Sequence, residues 1–153
     1  MKADFLGEVY NVERLQPSDI FVGRSVSIDH DVEVRDVDAF AALTGDVSPL
    51  HMSETFARSR GFQGRVVHGM LLTGYISRLF GVHLPGLNCL LQSVNLKWLK
   101  PVYVGDSLRF TATVVQYSAE AEVLISEVLV ENRQSGDLLA RGKVQAGFTG
   151  DKP

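Results

Sequence analysis

Alternation is the first pattern in this chain. Ile20, Val22, Val26, Ile28, Val32 and Val34 occupy even positions, a period of two that predicts extended strand over residues 20–35. The period then changes. Asp36 reads as the N-cap of a helix over residues 37–44, and Gly45 stands where a left-handed closing residue belongs. Pro49 lacks an N–H and restrains Ser48 before it, so residues 46–52 are expected to be bent and not helical. A second short helix is expected from Ser53 to Ser59, stopping at Gly61. The longest helical pattern covers about residues 67–81, with Leu71, Leu72, Tyr75 and Leu79 on one face. Its other positions (Gly69, Met70, Thr73, Gly74, Ile76) are also small or apolar. Such a helix is expected to be enclosed by other structure.

Everything beyond it reads as strand. Val94, Leu96 and Trp98 alternate, as do Leu108, Phe110, Ala112 and Val114, and then Leu138, Ala140, Val144, Ala146 and Phe148. Residues 121–131 are apolar at both parities, as in a central strand. Gly105-Asp106 and Ser135-Gly136-Asp137 mark turns. The order is strand, helices, one very apolar helix, then four strands in antiparallel succession. This is an α+β pattern, satisfied by a curved antiparallel sheet wrapped around the long apolar helix. A fifteen-residue helix is roughly 22 Å long, and ten-residue strands of roughly 33 Å would cover it. One domain over residues 25–150 is expected, with residues 1–24 as an N-terminal extension.

Composition narrows the function classes. With 45% hydrophobic and 22% charged residues, the 153-residue chain has the make-up of an ordinary globular domain. A net charge of −3 supplies no basic field for nucleic acid, so no nucleic-acid partner is expected. The stretch from Val66 to Leu84 contains His68, Arg78 and His83 and reads as a core helix, so no membrane partner is expected either. The first residues lack the apolar run of a signal peptide, and Cys89 is the single cysteine, expected as an apolar filler. A cytoplasmic location is the expectation.

Chemistry concentrates in the run from Phe40 to His51. Asp46 and His51 lie five residues apart in the bent segment, where a turn can bring a carboxylate and an imidazole onto one water. The plainer alternative leaves both as solvated loop residues. His68-Gly69-Met70 opens the apolar helix, so the Gly69 N–H is among its unsatisfied donors, and a glycine lets a ligand carbonyl approach. Ser77, inside the same helix, would need a partner, and the Thr73 carbonyl is the local choice. Addition of water to an α,β-unsaturated thioester needs a base, an acid and a donor for charge on the thioester oxygen. Asp46, His51 and Gly69 suffice for these roles. His30 and His83 have no ligand spacing with Asp46 or His51, so no metal is expected. Lys97, Lys100 and Arg65 are candidates for a phosphate-bearing ligand, with solvated charges the stronger reading.

The run Gly45-Asp46 through Ser48-Pro49-Leu50-His51, then Val66-Val67-His68-Gly69-Met70-Leu71-Leu72, resembles the MaoC-like (R)-specific enoyl-CoA hydratases. So do Ser77-Arg78-Leu79-Phe80-Gly81 and Lys100-Pro101-Val102-Tyr103-Val104-Gly105-Asp106. The resemblance covers roughly residues 25–148 and implies a hot-dog fold. It also implies Asp46 and His51 activating water, Gly69 as oxyanion donor and Ser77 counted with the active site. The implied substrate is trans-2-enoyl-CoA, giving (R)-3-hydroxyacyl-CoA in fatty-acid metabolism. No cofactor is implied beyond the coenzyme A or pantetheine thioester of the substrate. The implied assembly is a homodimer or dimer-based oligomer. Trp98 is bulkier than the resemblance leads one to expect. Dehydration of a carrier-protein-linked 3-hydroxyacyl group, or a non-catalytic thioester-binding subunit, are the competing readings.

Overall fold

The computed structural model describes residues 11–150. Five strands, β1 (Ser25–Asp31), β2 (Cys89–Trp98), β3 (Ser107–Ser118), β4 (Val123–Asn132) and β5 (Leu138–Phe148), form one sheet in the order β1-β3-β4-β5-β2. All four pairings are antiparallel. The helices are α1 (Val34–Thr44), α2 (Pro49–Met52), α3 (Glu54–Ser59) and α4 (Gly69–Arg78), the last continued by a π-helical turn at Leu79–His83. This is the expected α+β hot-dog arrangement.

The sheet differs from simple succession. β2 lies beside β5 and not beside β3, because the chain leaving the helix enters at the far edge of the sheet. β4 is the middle strand, with Leu124, Val128 and Val130 fully buried and the apolar side chains Val123, Ile125 and Leu129 of its other face half-buried, as its two-sided apolar pattern predicts. A bulge at Leu91/Ser93 changes the parity of β2, so Cys89 and Leu91 face the core before it and Val94 and Leu96 after it. The sheet's buried face and Leu72, Ile76, Leu79 and Phe80 share one core with Phe110. Burial of each large apolar side chain there stabilises the fold by about 1.5–3 kcal/mol.

Three expectations change. β1 is shorter than residues 20–35, and Val34 belongs to α1. Asp36 is not the N-cap but the third helical residue: its Oδ2 accepts the N–H of the true N-cap, Glu33, at 2.9 Å and so starts the helix earlier. Part of the expected N-terminal extension is bonded to the fold. The Glu13 N–H donates to the Val82 carbonyl at 2.8 Å, the Gly23 N–H donates to the Val114 carbonyl at 2.8 Å, and Ile20 is buried. Residues 1–10 of the expected extension lie outside the described residues.

The third change concerns α4, which is shorter than 67–81 and not enclosed on every side. Met70 is 66% exposed, and Gly74, Ser77 and Gly81 share that open side. Only the opposite face meets the sheet. Among the described residues, no helix is long and apolar enough to cross a membrane.

A polar cluster pins these elements together. Asp36 Oδ2 also lies 2.9 Å from His30 Nε2, and the Tyr75 hydroxyl lies 2.8 Å from the same nitrogen. Burial, and then the Asp36 charge, push the Tyr75 hydroxyl up to about 12. It therefore stays protonated where β1, α1 and α4 meet.

Candidate active site

Gly45 closes α1 in the left-handed conformation at φ 76°, its N–H donating to the Ala41 carbonyl at 2.8 Å. That turn releases Asp46 from the helix axis. The Ser48 N–H donates to Asp46 Oδ1 at 3.3 Å, bending the chain back before Pro49. The segment expected to be non-helical then makes one helical turn, α2, because proline suits the first helical position. His51 sits on that turn.

Two contacts hold His51. Its Nδ1 is 2.7 Å from the Val66 carbonyl, and its own carbonyl accepts Arg65 Nε–H at 2.6 Å. A carbonyl can only accept, so Nδ1 carries a proton, and in the neutral ring the lone pair is on Nε2. Arg65, one of the phosphate-binding candidates, is thereby committed elsewhere: its guanidinium also pairs with Asp38 at 2.6 Å and is only 15% exposed. Lys100 pairs with Asp137 at 2.6 Å, and Lys97 lies opposite Arg141 on β5.

A third group was not singled out from the sequence. His68, 2% exposed, places its ring centroid 3.9 Å from that of His51 and 4.9 Å from that of Phe40. Its Nε2 donates to the Asp46 backbone carbonyl at 2.9 Å and lies 4.0 Å from the Asp46 carboxylate. Asp46, His51 and His68 each bring one polar side-chain atom within 4.8 Å of the others. The available signal was an imidazole within an apolar run, which needs a partner when buried. Such a trio has the makings of a metal site, but the bond from His68 Nε2 occupies the nitrogen a cation would need.

Gly69 follows directly. Its N–H is one of the free donors of the first turn of α4. A Cβ there would stand 3.0 Å from the Trp98 indole, so any larger residue would press the ring outward, and glycine keeps helix and ring close. A cavity of about 250 Å³ opens here, lined by His51, Val66, Gly69, Leu72, Trp98 and Val102 among others. The expected bulk of Trp98 is thus a wall of this cavity. Ser77 is not brought to the cluster. It is exposed, eight residues along the helix from Gly69 or about 12 Å; one turn earlier it is the Thr73 hydroxyl that bonds back along the helix, donating to the Gly69 carbonyl at 3.2 Å. Cys89 is half-buried against the core, and burial pushes its thiol up to about 11, consistent with a filler.

Fold and cluster together define a hot-dog protein equipped for proton transfer beside an apolar cavity. The chain belongs to the MaoC-like domain family, whose profile matches residues 20–134. It is 32% identical over 132 residues to the (R)-specific enoyl-CoA hydratase of Rhodospirillum rubrum, covering 81% of this chain and 92% of that protein. A protein of the same name from Aeromonas caviae is 34% identical over 126 residues, covering 82% and 85%. The solved structure of an unliganded R-hydratase from Pseudomonas aeruginosa matches with a TM-score of 0.83 at 26% identity, covering 90% of this chain and 87% of that one.

Proposed function

We propose that this protein is a hydro-lyase that adds water to trans-2-enoyl-CoA to give (R)-3-hydroxyacyl-CoA, and catalyses the reverse dehydration. The reading rests on one observation: Asp46 and His51 bring polar side-chain atoms within 4.8 Å of each other, and His51 lines the cavity that Gly69 also lines. A water held between the carboxylate and His51 Nε2 loses a proton to this pair as its oxygen attacks C3 of the enoyl group. The pair delivers a proton to C2, so the elements of one water are added and the residues return to their starting state. The Gly69 N–H, at the positive end of α4, donates to the thioester oxygen as charge builds there. No step calls for a metal.

A second copy of the chain fits the same reading. Leu43, Val47 and Met70 are 85%, 65% and 66% exposed on or beside the elements that carry the site. Covering them would close the open side of Asp46 and bring Ser77 into an enclosed channel. The homodimer is therefore part of the proposal.

The experiment is a screen of purified protein against enoyl-CoAs of graded length, following loss of the conjugated thioester's ultraviolet absorbance and the configuration of the alcohol. Absence of turnover with every thioester overturns the reading. Turnover confined to carrier-protein-linked substrate replaces coenzyme A by the competing handle.

A further inference from the structure

His68 is spent in a way that core packing alone does not explain. The ring is 2% exposed, one nitrogen donates to the Asp46 carbonyl at 2.9 Å, and the other, Nδ1, is buried with no partner. A phenyl ring would fill the space between Phe40 and His51 without leaving a polar atom unsatisfied, so the imidazole carries a stability cost. What the imidazole adds is a link. Its Nε2–H fixes the backbone of Asp46, while its face lies 3.9 Å from the face of His51.

Acid/base partners must be placed to within fractions of an ångström, because small misplacements lower turnover steeply. Asp46 needs such support more than most residues: its side chain is 51% exposed, and its turn is held by two 3.3 Å contacts, the Asp46 N–H donating to the Thr44 hydroxyl and the Ser48 N–H donating to Asp46 Oδ1. Helix α4 is anchored in the core through Leu72 and Ile76. A donor on the residue preceding α4 therefore transmits the rigidity of the core to a loop carboxylate.

We propose that His68 is a positioning residue of the hydration reaction, joining Asp46 by a hydrogen bond and His51 by ring stacking so that both face one water. The proposal rests on the hydratase reading above. It assigns His68 no contact with substrate.

The test uses two amides of different reach. In His68→Gln the side-chain amide can stand where Nε2 stands and keep the donor to the Asp46 carbonyl. In His68→Asn it stops at the Nδ1 position and the donor is lost. With full-length protein and the best enoyl-CoA, His68→Asn is expected to lower kcat about tenfold or more, with KM little changed, and His68→Gln to recover most of that loss. Equal losses in both variants, a loss confined to KM, or a wild-type kcat in His68→Asn overturns the proposal. Should His68→Asn fail to fold, His68→Phe keeps the ring and removes the donor, with the same outcomes. Wild-type protein inactive on every thioester would defeat the hydratase reading itself, a result distinct from any of these.

Discussion

His51 Nδ1–H donates to the Val66 carbonyl at 2.7 Å, and that single bond decides which side of the imidazole does chemistry. The Val66 N–H in turn donates to the Leu50 carbonyl at 3.2 Å, so the turn bearing His51 is laced to the strand-like segment leading into α4. With Nδ1 so engaged, Nε2 is the ring nitrogen left to act as a base.

Asp46→Asn and His51→Ala are each expected to lower kcat by about two orders of magnitude or more. Folding should be retained, since the Asp46 side chain is 51% exposed and His51 lies on a short surface turn. Loss of enoyl-thioester absorbance gives the rates and circular dichroism the folding. Near-wild-type turnover in both variants would be incompatible with the assigned pair.

Exhaustive treatment with a chelator is expected to leave the hydration rate unchanged. The reason is geometric: His68 Nε2 is engaged with the Asp46 carbonyl and is not free to ligate. Activity lost on chelation and regained with one divalent cation would show that the trio holds a metal.

Met70→Glu puts a charge on the open face of α4, where Met70 is 66% exposed. Sedimentation is expected to shift from dimer to monomer and activity to fall with it, while the thermal midpoint of the monomer stays measurable. A variant that sediments as wild type would place the interface elsewhere.

Asp36 gives a pH-dependent prediction. Burial pushes its carboxyl up, but the Glu33 N–H and His30 outweigh this and hold it below the usual carboxylate range. A folded-state value lower than the unfolded one stabilises the fold above the unfolded value, near 3.9, and that stabilisation is lost as pH falls through the folded value. The difference in thermal midpoint between wild type and Asp36→Asn should therefore be full at neutral pH and shrink on acidification through that range. A difference that grows toward low pH would contradict the capping role.

Much of this protein is local and was legible as such. Gly45 ends α1 and Ser53 caps α3, its Oγ accepting the Phe56 N–H at 3.2 Å, because caps depend on neighbours in sequence. The turn at Gly136 and the two-sided burial of β4 follow for the same reason. The bend that pairs Asp46 with His51 was readable from Pro49, although the single helical turn of α2 was not.

Burial and partnership are where sequence fell short. Ser77 and Met70 lie in an apolar run, yet they face outward, since a single sheet can cover only one side of a helix. Arg65 reads as a solvated cation, yet it clasps the His51 carbonyl from a segment distant along the chain.

The sequence by itself determined the strand periods, the closing glycine of α1 and the bend between Asp46 and His51, all of which act over a few residues. Only the tertiary structure decided that β2 crosses to the edge beside β5, that Trp98 packs on Gly69, and that His68 joins the Asp46 carbonyl to the face of His51. These depend on how one sheet closes over one face of α4. That packing is a property of the whole core, and no short stretch of chain encodes it.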